Sequence, residues 1–546
     1  MSAVGNTVVE PVAEPRPDRG GAGRGAAVTR QHASHEHVSY RHTPTGRSTR
    51  RDPAGDVPTV PLPVGAAAPT RRTARWGWWL AGAGVAAGLL AALAVALPGP
   101  DQGLPAEGRV ALVVFAAAVL AWTLSRLDDT FVGLAAVLVL VAAGVLAPDT
   151  LFSALGGDIV WLLIAAFVLA AGLTATGLPV RLAVLLCARA RSVRQLAHLV
   201  TAALVLTALA VPSTSGRAAV ALPVFLALAE ALRDRTAVVR ALALLFPTVI
   251  LLSAIATLIG AGAHMITVRL LTDMTGAGIS YGHWLLLGLP FAVLTAHLAT
   301  ELVLLLMTRR RDRAGTLRLS ADRLAAHAGV PVRGPLDAAQ WRALAIIAVV
   351  VTLWSTEPLH GAPPALVALL GAVLITAPGL GTTRMAPALA GVPWSLLLFM
   401  VSTAVLGGAL ATSGAASWLG TALLGVPAGH GVGFLVLVVG ISLTAHLVLQ
   451  SRSARSSVLV PLVIPLAAGL GLNPAAVAFA STAAAGFCHT LPASAKPVAL
   501  FGAVTEAPTY RRSDLLRLAV LLGPLVGAMV VGFALVGWPA LGLPLR

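Results

Sequence analysis

Charge is scarce in this sequence. Only 11% of its 546 residues are Asp, Glu, Lys or Arg, whereas a soluble domain carries about 25%. That excludes an ordinary soluble protein, and a mean hydropathy of +0.86 agrees. Cysteine is scarce too. Cys187 and Cys488 stand far apart in apolar surroundings with no CxxC, so they read as buried free thiols and not as a disulfide framework. The apolar segments do not alternate with period two, which excludes an outer-membrane barrel. There is no nucleophile–base set, no phosphate loop and no cluster of metal ligands, so an enzyme is not indicated.

What remains is a set of apolar runs long enough for α-helical spans of roughly 20 residues. The formal net charge is +16, but the positive residues sit in a tail and in short loops. Membrane topology explains them better than nucleic-acid binding. Residues 1–75 are rich in Pro, Gly, Ser, Arg and His without apolar period, and read as a disordered basic tail. Its histidines show no ligand spacing. The first apolar run comes too late for a signal peptide.

Residues 76–107 give a first span, led by Trp76, Trp78 and Trp79 at the interface, and a linker. A first half follows at 108–308, with spans near 108–124, 130–147, 157–176 and 283–308. Between them lies the amphipathic "PVRLAVLLCARARSVR", expected in the interface. A polar, basic linker, 309–340, precedes a second half at 341–546, with spans near 341–356, 363–378, 394–412 and 514–537.

Each half holds an interrupted run, at 196–231 and 431–468, with a polar joint in its middle. The joints match: "STSGRAAVALP" and "SRSARSSVLVP" both read Ser-x-Ser-x-Arg, with Pro223 and Pro461 six residues on. Lipid tolerates irregular backbone only where protein or water satisfies it. If both runs enter and leave on one side, the basic loops fall on the cytoplasmic face and the opposite loops are nearly free of Lys and Arg. This makes the runs re-entrant hairpins and the halves an inverted repeat. A span broken by Gly or Pro follows each tip: 239–275, with "AIATLIGAGAHMITV", and 474–505, with "FCHTLPASAKPVALFG".

This order of elements resembles the divalent anion:sodium symporter family of the ion-transporter superfamily, from about residue 105 onward. "LGGDIVWLLIAAFVLAAGLTATGL" and "VPWSLLLFMVSTAVLGGALATSGAASWLG" are similar to the spans before its hairpins. Ser213-Thr214-Ser215 and Ser451-Arg452-Ser453 stand at its Ser-Asn-Thr signatures. Ala261-Gly262-Ala263-His264 and Ala495-Lys496-Pro497-Val498 stand at its Thr-Pro-Pro-Asn segments. The resemblance implies a homodimeric elevator in which tips and breaks cradle sodium and a dicarboxylate or sulfate. The signatures are altered: the four Asn positions are Thr214, Arg452, His264 and Val498.

Arg452 and Lys496 put fixed cations where a bound cation is expected, and Arg217 and Arg455 lie one turn into each hairpin. An intramembrane charge without a partner is costly, and the tips hold no Asp or Glu, so an anion is the expected company. The expected substrate-binding residues are therefore Ser213, Thr214, Ser215, Arg217, Ser451, Arg452, Ser453, Arg455 and Lys496. Gly260, His264 and Ser494 are the candidates for ion or proton coupling, with His489 a further histidine for the latter. Arg217 and Arg455 could instead bond hairpin carbonyls, and Glu301 reads as the partner of a nearby Arg.

The expected protein is an all-α, multi-pass carrier of small anions in a bacterial inner membrane, with its N-terminus in the cytoplasm. Di- or tricarboxylates are the favoured substrates, carried without sodium by exchange or proton coupling. A sodium-coupled sulfate or dicarboxylate symporter and a non-transporting anion sensor are the alternatives. No cofactor is expected, sodium being the one ion the resemblance brings.

Overall fold

The structure is a computed structural model that describes residues 87–98, 103–125, 127–422, 431–449 and 451–546. The expected tail, Trp76, Trp78 and Trp79, and residues 423–430 lie outside the described residues.

The first half runs α1 (Ala87–Ala96), α2 (Ala106–Leu124), α3 (Asp129–Ala142), α4 (Pro148–Leu155), α5 (Asp158–Ala175), α6 (Leu178–Ala188), α7 (Val193–Thr207), α8 (Thr214–Ala231), α9 (Thr236–Leu252), α10 (Gly262–Thr275) and α11 (Tyr281–Met307). The linker holds α12 (Arg310–Arg313) and α13 (Ala321–Ala328). The second half runs α14 (Ala338–Ser355), α15 (Glu357–His360), α16 (Pro364–Thr376), α17 (Met385–Ala390), α18 (Trp394–Thr412), α19 (Ala415–Ala422), α20 (Gly431–Thr444), α21 (Arg452–Gly469), α22 (Pro474–Ala484), α23 (Lys496–Gly502), α24 (Arg512–Gly532) and α25 (Trp538–Ala540). No strand occurs among the described residues. Among the described residues, eight helical segments are long and apolar enough to cross a membrane.

The halves correspond element by element: α7–α8 and α20–α21 are the two hairpins, and α9–α10 and α22–α23 the two broken helices. The breaks share a backbone. Thr257 (φ −133°, ψ 153°) and Ala261 (−157°, 149°) flank a single 3-10 turn, as do Leu491 (−123°, 149°) and Ala495 (−156°, 143°). The packing is reciprocal as well. α3 of the first half lies on α18 of the second, and α5 lies on α16. The result is an inverted repeat built around a nearly enclosed axial segment, Thr236–Ala256, in which an 18-residue window is 94% buried. A segment apolar all round needs such burial.

Two elements do more than the sequence suggested. α6 turns Leu178, Arg181, Val184 and Cys187 inward, and Arg181 donates to Gln340 Oε1 (2.8 Å) and the Gly334 carbonyl (2.5 Å), tying the two halves together. The linker is not a bare connector. α13 buries Leu324 and Ala325 and packs on α8 and α6.

Close approach at the first break depends on Gly288 of α11. A Cβ there would overlap the Ile255 carbonyl oxygen, which accepts from Trp284 Nε1 at 3.0 Å. Gly288→Ala is expected to lower the unfolding temperature of the detergent-solubilised protein, by about 1–3 kcal/mol of overpacking. Gly408→Ala, which meets nothing within 4 Å, is expected not to lower it. Equal melting of the two variants would contradict this packing.

Candidate functional site

A helix leaves its last four carbonyls without an intrahelical donor, and its C-terminal end carries partial negative charge. Hairpin tips and breaks place several such ends inside an apolar fold. Three arginines answer them.

Arg217, in the first turn of α8, is fully buried. Its Nη2 donates to the Leu204 carbonyl (2.7 Å) at the end of α7 and to Ser253 Oγ (2.6 Å). Its Nη1 donates to the Ile250 carbonyl (3.0 Å), and its Nε to Thr207 Oγ1 (3.1 Å). One guanidinium thus closes hairpin tip to broken helix, and every one of its nitrogens has a partner.

Arg452, the first residue of α21, bridges the two halves. Its Nη2 donates to the Leu251 carbonyl (3.0 Å) beside the first break and to the Gly486 carbonyl (2.8 Å) inside the second. Arg455, one turn on, is fully buried but differently served. Its Nη1 donates to the Phe487 carbonyl (3.1 Å), while its Nε and Nη2 have no acceptor among the described residues. Ser456 Oγ and His489 Nε2, also buried, lack partners too.

The serines open the hairpin half-helices. Ser213 Oγ accepts from the Gly216 N–H and Ser451 Oγ from the Ala454 N–H, both at 3.3 Å, as N-caps do. The Thr214 and Ser215 hydroxyls make no hydrogen bond among the described residues. Ser453 is buried, with its Oγ facing Gly262 at the head of α10. Gly260 stands where a Cβ would overlap the Ala254 carbonyl. Ser494 Oγ accepts from the Leu491 N–H at 3.1 Å. His264 Nδ1 donates to the Thr257 carbonyl (3.0 Å), and its ring lies 5.1 Å from that of Trp284.

Lys496, the single lysine of the chain, opens α23 on an exposed side. Near it is a residue that the sequence reading passed over. Asp129, first in α3, lies near Ser451 and feels the charge of Lys496. The acidic pair Asp128-Asp129 at the head of an apolar run was the available signal. Among the described residues, no ion pair involves Arg217, Arg452, Arg455 or Lys496.

Two pseudosymmetric hairpins meeting two broken helices define a membrane transporter fold. The comparisons agree. The model of the sodium:sulfate symporter transmembrane region matches residues 80–543, and the chain belongs to that family. It is an anion transporter of that type and not an enzyme. A membrane protein of Cupriavidus necator is 25% identical over 414 residues, which cover 72% of this chain and 78% of the relative. The crystal structure of the Alcanivorax borkumensis YdaH transporter, described as having an unusual topology, is similar in fold. Its TM-score is 0.52 at 18% identity, over 72% of this chain and 88% of that one.

Replacing Arg217 would take a charged donor from the Ile250 carbonyl and from the Leu204 carbonyl, which keeps the Thr207 hydroxyl at 2.7 Å. Arg217→Gln is expected to destabilise the protein by about 1–3 kcal/mol, the cost of leaving a buried polar group unsatisfied. Thermal unfolding in detergent reads this directly, and an unchanged melting temperature would show that the guanidinium is not needed there.

Proposed function

We propose that the protein is a secondary carrier of small dianions or trianions, di- and tricarboxylates foremost and sulfate next, that works without sodium. The observation that carries this reading is the charge state of the tips: buried guanidinium groups without carboxylate partners, one of them with two open donors. Half-helix C-terminal ends and unwound carbonyls are the ligands that coupling sodium ions use in carriers of this architecture. Here Arg217 and Arg452 take those oxygens. The free Nε and Nη2 of Arg455, with Ser456 and the N-terminal dipoles of α8, α21 and α23, suit a carboxylate or sulfate.

In this reading the hairpins and broken helices move as an elevator against α2–α5 and α14–α18, within a homodimer. The basic loops set the N-terminus in the cytoplasm of a bacterial inner membrane. Asp129, on the stationary side, lies near Ser451 and attracts Lys496 until an anion arrives.

The test is uptake of labelled succinate, citrate and sulfate into proteoliposomes with sodium outside, with choline instead, and with unlabelled anion preloaded. Uptake is expected to persist in choline and to rise with preloading. Arg455→Gln is expected to reduce it about tenfold or more, the loss of one charge-assisted hydrogen bond worth at least about 1.5 kcal/mol. Strict sodium dependence would overturn the sodium-free reading and leave a sodium-coupled symporter. Binding of these anions without flux would overturn transport itself and leave a sensor.

A further inference from the structure

The anion site leaves one polar cluster unused. It lies between α7, the outer arm of hairpin 1, and α11. Glu301 Oε1 accepts from Arg194 Nε at 2.6 Å and lies 2.6 Å from His198 Nε2. On the other side of the same ring, His198 Nδ1 lies 2.8 Å from His297 Nδ1. Beside them Thr201 and Thr300 share a 2.6 Å hydroxyl contact. Glu301 lies about 9 Å, and His297 about 15 Å, inside the C-terminal end of α11, at 1.5 Å per residue. Ionisable groups on a membrane-spanning helix are candidates for function, and Asp/Glu/His chains serve proton movement in carriers.

From this geometry we infer that Glu301, His198 and His297 form a proton-binding relay that couples proton movement to hairpin 1. The inference rests on the transport reading above.

The hydrogen count follows from the contacts. The ionised Glu301 only accepts, so His198 Nε2 carries a hydrogen. The facing Nδ1 atoms share one hydrogen, because two would collide and none would set lone pair against lone pair. His297 Nε2 is the ring nitrogen of the pair with no partner among the described residues, and it takes an incoming proton. The Nδ1 hydrogen of His297 then passes to His198 Nδ1, and His198 becomes an imidazolium held through its Nε2 hydrogen by the ionised Glu301. Each transfer runs along an existing hydrogen bond, and nothing is oxidised or reduced. The outcome is a cationic His198 between a neutral His297 and Glu301, which stays paired with Arg194.

The other charges on the packed helices are engaged elsewhere or do not act on the relay. Arg181 of α6 binds Gln340, Arg217 of α8 binds the hairpin tip, and Arg240 of α9 pairs with Asp514 of α24 at 2.6 Å. Among the described residues, Arg342 of α14, and Arg512 and Arg517 of α24, make no hydrogen bond or ion pair with Glu301, His198 or His297. Protonation therefore changes the α7–α11 contact by one full charge. The same α7, two turns on, offers the Leu204 carbonyl and Thr207 hydroxyl to Arg217. Imidazole is the side chain whose ordinary pKa lies near neutral pH, which suits a site that loads on one face and unloads on the other.

The test uses the full chain in proteoliposomes with labelled succinate and sulfate and a luminal pH dye. Two modes are compared: counterflow at equal pH, and net uptake driven by an acid-outside gradient. The wild type is expected to show both, with luminal acidification in the second. Glu301→Gln and His297→Asn are expected to keep counterflow and lose the gradient response and the acidification. His198→Gln, whose amide still donates to Glu301 but cannot relay, keeps the helix contact and is expected to behave likewise. Wild-type counterflow with no gradient response, or a gradient response retained in all three variants, would overturn the relay and leave the transport reading intact. Absence of wild-type counterflow for both anions would overturn the transport reading, and the relay with it.

Discussion

The structure depends on arginine meeting the exposed end of a helix. Two hairpin tips and two breaks interrupt the backbone ladder deep in an apolar fold, and each interruption frees carbonyl oxygens. Left unpaired, such groups cost about 1–3 kcal/mol each, more where no water can reach. The guanidinium is suited to this task. It carries five donors in a planar fork and keeps its charge, and the C-terminal end of a helix attracts that charge. Arg217 and Arg452 together accept the burden of Leu204, Ile250, Leu251 and Gly486. The same contacts fasten tip to break and one half to the other. Whatever binds at the tips therefore binds on the elements that hold the fold together.

The repeat is close in backbone and unequal in chemistry. The breaks superpose in dihedral angles, and both hairpins begin with a capping serine and carry Arg one turn in. Yet Arg217 is saturated while Arg455 has one partner and two open donors. Arg452 and Lys496 have no basic counterpart in the first half, where Thr214 and Gly262 stand. Gly262 has a steric reason: a Cβ there would press on Leu396 and Ser453. The first half thus supplies a finished structural joint, and the second supplies unspent hydrogen-bonding capacity.

Much of the architecture was legible because membrane sequences mark their exceptions. Polar letters inside an apolar run, a repeated Ser-x-Ser-x-Arg, and Gly or Pro where a helix should continue located both hairpins and both broken helices. The partners of the arginines were not legible, because a main-chain carbonyl has no letter of its own; carbonyls, where anions were expected, meet Arg217 and Arg452. Asp129 was hidden by distance, arriving at Ser451 from a helix more than three hundred residues earlier in the chain. Glu301 was read as pairing with an Arg, and it does pair with Arg194. What the sequence could not convey is that α7 and α11 lie side by side, which turns two isolated histidines into neighbours. The linker hid its role for a related reason: eight residues with two buried apolar side chains make a faint pattern.

The open donors of Arg455 constrain how such a carrier would cycle. A buried cation with unfilled donors is disfavoured, and Arg455 has one carbonyl partner and two open donors among the described residues. With an anion bound, the charge is compensated and the donors are filled. Without one, water must enter or the site must stay where water reaches it. The loaded form then crosses more easily than the empty form, and return of the empty carrier limits net flux. A carrier built this way favours exchange of one anion for another, and a proton bound between α7 and α11 adds positive charge without filling Arg455. Net uptake then requires a driving gradient to overcome a return step that exchange avoids altogether.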